Sequence, residues 1–215
     1  MLHVKDPVSG YTHLFGAVLS VFALILLDYN ASMIGSYKYV IAVSIFGASL
    51  ILLYSASSIY HLLNVGDRIS LALRKIDHMM IYILIAGTYT PICLVALKGN
   101  WRIGMLLSIW TLAFVGMLLK IFWFNAPRWL STAFYLAMGW LVVIAFYPII
   151  KSVPFQGVIW LALGGILYSI GGIIYATKWP PINNKFFGFH EIFHLFVLAG
   201  SFSHFWMVYK FILKM

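Results

Sequence analysis

Apolar segments long enough to cross a membrane recur about seven times along the chain, separated by short polar connections. A helix needs about 20 mostly apolar residues to cross the hydrocarbon core of a bilayer. The predicted spans cover residues 11–27, 39–63, 76–97, 103–124, 130–150, 155–176 and 186–213. Since no stretch is left over for a soluble domain, the pattern predicts an all-α integral membrane fold: one seven-helix transmembrane bundle over residues 1–215.

The composition agrees with a membrane protein, because 63% of the residues are hydrophobic and only 9% are charged. The net charge of +9 would also suit a nucleic-acid-binding protein, but the basic residues stand singly between apolar runs. We interpret them as loop charges that face lipid headgroups, and we expect no nucleic-acid partner. Of the 14 Lys and Arg residues, eight fall on the side of the N-terminus and six on the other. This excess predicts a cytoplasmic N-terminus and an external C-terminus.

Polar residues with metal-binding or acid–base chemistry collect near one membrane surface. In a bundle of seven spans, the second span ends on the side where the third and the seventh begin. His61 lies near the end of the second span, and Asp77 and His78 open the third. His190 and His194 open the seventh span. The parity of the spans therefore predicts that these residues lie at one depth in one leaflet.

The spacing of His190 and His194 predicts a metal site. Residues four apart lie on one face of a helix, one turn apart, where a single ion can reach both imidazoles. Together with His61 they would supply three neutral nitrogens and leave a fourth position for water or hydroxide, the arrangement of a catalytic zinc site. Asp77 would accept the proton of that water. Ser57, four residues before His61, would hydrogen-bond the imidazole, the water or an oxyanion.

A proteolytic site is an alternative interpretation of the seventh span. The string His190-Glu-Ile-Phe-His194 fits H-E-x-x-H, in which the glutamate is the general base of a metalloprotease. Such an enzyme needs a further ligand, typically an acid in a later span, and the seventh span is the last one predicted here. We therefore interpret Glu191 as a group that supports the metal ligands without binding the metal itself. Haem bound between the second and seventh spans stays open, although the spacing of the two histidines suits one small metal better.

Structural roles compete with chemical ones for several of these residues. Asp77 follows two basic residues, so an interfacial ion pair is an alternative to catalysis. His3 and His13 precede or open the first span, where surface or interfacial positions are expected. His204 lies ten residues past His194, roughly 15 Å deeper along a helix, so we expect a packing contact there rather than a ligand of the same ion.

Three motifs in order carry a resemblance to a known family. They are Ser57-x-x-x-His61 closing the second span, Asp77 opening the third, and the string Gly188-Phe-His-Glu-Ile-Phe-His-Leu-Phe196 opening the seventh. Over essentially the whole chain, this pattern resembles the hemolysin III group of the progestin and adipoQ receptor (adiponectin receptor-like) family, in a superfamily that includes alkaline ceramidases. The resemblance implies a zinc ion held by the three histidines, with Asp77 and Ser57 beside its water, and a location in the bacterial cell membrane.

Two classes of function follow from these observations. The favoured one is a zinc-dependent hydrolase of a lipid amide or ester, whose substrate enters sideways from the membrane. The alternative is a pore-forming cytolysin, or a channel or receptor-like protein, in which the zinc is structural; a pore would require a homo-oligomer. The residues favour the hydrolase, because no predicted span carries a continuous polar stripe and the polar cluster is confined to one leaflet.

Overall fold

The structure, a computed structural model, describes residues 4–182, 184 and 187–215. Within these residues, seven helices are long and apolar enough to cross a membrane, which confirms the predicted all-α membrane fold. They are α1 (Pro7–Met33), α2 (Tyr37–Leu62), α3 (Asp67–Ala96), α4 (Gly99–Phe122), α5 (Arg128–Ser152), α6 (Phe155–Thr177) and α7 (Phe189–Lys214). Helix α3 becomes π-helical over Ile92–Ala96, and α7 ends in a 3-10 turn over Ile212–Lys214.

Helix α1 extends well beyond the predicted span of 11–27. It begins at Pro7, whose fixed φ suits the first turn of a helix. At the other end it continues through Asp28 and Asn30, because both polar side chains find partners there. The Ser44 hydroxyl of α2 donates to the Asp28 carboxylate at 2.7 Å, and the Asn30 amide donates to the Leu26 carbonyl at 2.7 Å. The polar residues therefore end the apolar pattern at Leu27, whereas the helix continues to Met33.

Glycines let neighbouring helices approach closely at the core of the bundle. Gly87 of α3 lies against Ser49 of α2, and Gly164 of α6 lies against the ring of His204 in α7. At each position a methyl group in place of the glycine hydrogen would overlap the facing side chain. Small residues at helix contacts are the usual means by which membrane helices gain van der Waals contact. These contacts bring α2 close to α3 and α6 close to α7.

Helix α5 is interrupted in its middle, over Trp140–Ala145, where the backbone is 3-10 helical. Pro148 follows this segment; it lacks an N–H, and its ring clashes with the carbonyl four residues earlier, which disrupts the α-helical pattern. The buried Tyr89 hydroxyl of α3 serves the interrupted backbone: it donates to the Gly139 carbonyl at 2.7 Å and accepts from the Val142 N–H at 2.8 Å. Two backbone groups at the interruption therefore stay paired inside the membrane, where unpaired polar groups are costly.

Candidate metal centre

Three histidines converge at the end of the bundle where α2 finishes and α7 begins. One ring nitrogen each of His61, His190 and His194 lies within 4.8 Å of the other two. The Nε2 atoms of His61 and His190 are 3.3 Å apart. Two nitrogens that each lie about 2.05 Å from a tetrahedral ion are separated by about 3.3 Å, so this spacing fits one small metal ion. The three residues are called the histidine triad below.

The surroundings of the histidine triad also fit a metal. His61 and His194 are buried, and the Ser9 backbone interacts with the His194 ring. Imidazoles that are shielded from bulk water and held by neighbouring groups are well placed to bind an ion. Haem does not fit, because rings whose Nε2 atoms are 3.3 Å apart leave no space for a porphyrin plane between His61 and His190.

Asp6 supports His61 from the segment before α1. Its carboxylate lies 3.1 Å from the Nδ1 of His61, and its backbone N–H donates to the His61 carbonyl at 2.9 Å. Because a carboxylate only accepts, Nδ1 carries the proton and Nε2 keeps its lone pair for the centre of the site. A carboxylate behind a metal-binding histidine is a frequent arrangement, since it fixes the tautomer and the orientation of the ring. Sequence reasoning did not select Asp6.

His13 is part of the site, and the expectation of a surface or interfacial position was wrong. It is 3% exposed and its ring stacks on that of His194, with centroids 3.6 Å apart and planes at 13°. The ring also meets the edge of Tyr54 at 5.0 Å. Helix α1 starts on the same membrane side as α7, and its close packing against α2 and α7 turns His13 inwards. His3 lies outside the described residues.

Asp77 lies beside Ser57 on the facing helices α3 and α2. Both are buried, and the Ser57 side chain hydrogen-bonds the Asp77 carboxyl. In the described part of the chain Asp77 forms no ion pair, so the interfacial ion pair expected as an alternative is not formed. Both residues border the cavity that also reaches His190 and His194. The structure therefore brings the two predicted catalytic residues to the cavity that His190 and His194 border.

Glu191 has a structural role at the start of α7. One carboxylate oxygen accepts from the Gly188 N–H at 2.8 Å, which caps the helix, and the other accepts from the Ser9 hydroxyl at 2.6 Å, which ties α7 to α1. With both oxygens engaged, Glu191 is unsuited to act as the general base of an H-E-x-x-H protease. It supports the site by fixing the helix that carries His190 and His194.

The two remaining described histidines lie outside the triad. The ring of His78 stacks on Phe124 with centroids 5.6 Å apart. His204 is buried deeper in α7 and stacks on Tyr168 of α6 at 5.4 Å, so it forms the packing contact that its position predicts. Both rings border the cavity as well.

A cavity of about 470 Å³ opens beside the histidine triad and extends into the bundle. At one end it is bordered by Arg74, Asp77 and Arg128; at the other it reaches Trp140 and His204. His204 is ten residues past His194, so the cavity extends roughly 15 Å along α7. Volumes of several hundred Å³ with mainly apolar walls and a few polar groups are typical of small-molecule sites. The cavity therefore suits a molecule with a polar end and an apolar chain.

Comparison with known proteins shows which sequences this chain is similar to. Residues 2–205 match the family model described as Haemolysin-III related. The chain is similar to Hemolysin-3 of Bacillus cereus, with 39% identity over 211 residues, 98% of this chain and 93% of that one. It is 40% identical to the Hemolysin-3 homolog of Bacillus subtilis (strain 168) over 215 residues, 100% and 98% of the two chains. More distant is the human Monocyte to macrophage differentiation factor, at 24% identity over 178 residues, 79% and 70%.

Proposed function

The chain belongs to the haemolysin-III related family, and from that premise we propose that it is a zinc-dependent hydrolase of a lipid amide or ester. It is a multi-pass integral membrane protein, and its Bacillus relatives place it in the bacterial cell membrane. The observation that carries the proposal is the convergence of three histidine nitrogens beside a cavity that also contains Asp77. Three protein ligands with one open position are typical of catalytic rather than structural zinc.

The histidine triad would hold the metal, and three imidazole nitrogens with the spacing seen here suit zinc. When bound, zinc supplies Lewis acidity, which polarises a substrate carbonyl and lowers the pKa of water. Asp6 and His13 would keep the ligands in place, since one hydrogen-bonds His61 and the other stacks on His194. The chain thus provides both the ligands and the groups that orient them.

Asp77 is the residue that we propose moves the proton. Its carboxylate would accept a proton from the attacking water and return it to the leaving amine or alcohol. The Ser57 hydroxyl would hydrogen-bond one carboxylate oxygen and so turn the other towards the cavity. Burial of both groups excludes bulk water, which strengthens their electrostatic effect on the reacting carbonyl.

The orientation of His61 gives a first prediction. Replacing Asp6 with alanine should lower the affinity for zinc by about 10-fold to 100-fold, because the His61 ring loses the carboxylate that fixes its tautomer. Competition with a chromogenic chelator measures this affinity on purified protein. Asp28→Ala is the matched control, since Asp28 lies at the opposite end of α1 and bonds Ser44. Wild-type affinity in Asp6→Ala would show that the carboxylate does not support the site.

The proposal as a whole is tested on purified protein in detergent. Metal analysis should find about one zinc ion per chain, and anomalous scattering at the zinc edge should locate it between the three imidazoles. Release of fatty acid from a lipid amide should stop when a chelator removes the metal and return when zinc is restored. Protein that binds no zinc after reconstitution, or that releases no fatty acid from amide or ester lipids while zinc is bound, would reject the hydrolase.

Cytolysis is a second candidate, supported by the name Hemolysin-3 that the Bacillus cereus relative carries. In that case the protein would assemble into a homo-oligomeric pore, and the zinc would be structural. Red-cell lysis by wild type and by variants of the histidine triad separates the two functions. Undiminished lysis in every triad variant would favour a pore that is indifferent to the metal.

A further inference from the structure

Three basic residues border the mouth of the cavity. They are Arg74 of α3, Lys120 of α4 and Arg128 of α5, and all three border the cavity. In the described part of the chain none of them forms an ion pair. The one acidic residue in the described cavity wall is Asp77, which hydrogen-bonds Ser57 and is close enough to Arg74 for an electrostatic interaction, though not for an ion pair. The described wall therefore carries three positive charges and one negative charge at the end nearest the histidine triad.

Lys120 is the most informative of the three. It is 5% exposed, and its ammonium donates one hydrogen bond, to the Ser131 hydroxyl at 2.7 Å. A lysine near a helix end usually extends to the membrane surface, where water solvates its charge. An ammonium turned inwards with a neutral partner has unused donors and an uncompensated charge, and both are costly. The position favours an anion in the space that Lys120 faces.

The other two basic residues border the same cavity. The Lys120 Nζ and the Arg74 guanidinium lie 5.7 Å and 5.3 Å from the centre of the Phe124 ring, so this aromatic ring positions both cations. Arg128 lies over the Tyr175 ring at 4.7 Å and donates to the Tyr175 carbonyl at 3.4 Å. Arginine and lysine side chains held around one opening provide charge-assisted hydrogen bonds, which suit carboxylate and phosphate groups.

We propose that Arg74, Lys120 and Arg128, called the cationic mouth below, bind the carboxylate or phosphate of an amphiphile whose apolar chain occupies the cavity. This inference deepens the proposed function and rests on it for the chemistry, since it makes the substrate an acidic lipid amide or ester. The anion would contact the cationic mouth, the scissile carbonyl would lie by the histidine triad, and the chain would extend towards Trp140 and His204.

Two amide lipids that differ in one charge provide the test. N-palmitoylglycine carries a carboxylate, whereas N-palmitoylethanolamine carries a hydroxyl at the corresponding position. Isothermal titration of the detergent-solubilised protein should show that the acidic lipid binds at least about 10-fold more tightly, as a charge-assisted hydrogen bond in a partly buried site implies. The preference should fall towards unity in Lys120→Gln and in Arg74→Gln. It should persist in Lys120→Arg, which keeps the charge.

Lys98→Gln is the matched control, because Lys98 is an exposed lysine at the opposite end of α4. It should keep the preference. Comparable affinities for the two lipids in wild type, or an unchanged preference in the Lys120→Gln, Arg74→Gln double variant, would overturn the proposal. An unchanged preference in the double variant would mean that these cations only help to set the orientation of the protein in the membrane, as the positive-inside rule describes. Thermal unfolding of each variant confirms that the binding data come from folded protein.

Two further titrations distinguish the binding of acidic lipids from the binding of free anions. Lysophosphatidic acid should bind through its phosphate and chain, whereas inorganic phosphate should bind far more weakly; equal affinity would overturn the assignment to an amphiphile. The His190→Ala, His194→Ala variant should keep the preference for N-palmitoylglycine, since binding does not depend on the metal. A protein that prefers the acidic lipid but hydrolyses neither would refute the proposed hydrolase while supporting the cationic mouth.

Discussion

Replacing His190 and His194 together with alanine should abolish zinc binding. Two of the three nitrogens of the histidine triad are lost, and His61 alone does not hold the ion against competing water. Apparent binding free energies of about 10–16 kcal/mol for structural zinc sites show how much a complete ligand set contributes, so we expect affinity to fall by at least about a thousandfold. Elemental analysis of purified protein, with competition against a chelator, measures the loss.

The control for this experiment lies on the same helix. His204→Ala also removes a buried imidazole of α7, but one that stacks on Tyr168 away from the triad. It should keep a full complement of zinc. Zinc retained in the double variant would reject the ligand assignment, and zinc lost in both would indicate that damage to α7, rather than the loss of ligands, removed the metal.

Asp77→Asn should leave zinc bound and lower the rate of lipid amide hydrolysis by about 100-fold or more. The amide has the size of the carboxyl group and still accepts a hydrogen bond from Ser57, but it does not take up a proton, and general base catalysis contributes about 10²–10⁴ in rate. The measurement pairs zinc content with turnover of the same preparation. Asp67→Asn is the matched control, since Asp67 is an exposed acid at the start of the same helix.

Two results would contradict this role of Asp77. Wild-type turnover in Asp77→Asn would show that another group, or water itself, moves the proton. Loss of zinc together with activity would instead make Asp77 a residue that holds the metal site. If turnover falls while zinc is retained, Asp77 has the proposed role in proton transfer. This result would also show that the metal is catalytic rather than only structural.

The bundle and the triad were predictable because each depends on a feature that sequence expresses directly. Seven apolar stretches fix the number of crossings, and their parity fixes which helix ends share a membrane side. Together with the four-residue spacing, this brought His61, His190 and His194 to one place, as the structure does. Neither feature requires knowledge of how any helix is rotated about its axis.

The groups that support the triad were missed because they do depend on that rotation. Helix α1 buries the face that carries Ser9, His13, Gly16 and Ser20, and only this stripe of small and polar residues indicates that His13 is buried rather than interfacial. The parity argument applied to the first span would have placed Asp6 and His13 on the correct side. Glu191 was ambiguous for another reason: a glutamate at the third position of a helix is equally the sequence of a capping box.

The site is assembled from the two ends of the chain, and this has a consequence for how the protein is made. Asp6 and His61 are synthesised early, whereas His190 and His194 belong to the last helix. The ligand set is therefore complete only when α7 has inserted and packed against α1 and α2. A metal that binds this set stabilises the finished bundle and none of its precursors. Zinc occupancy would then report whether a chain has completed its insertion.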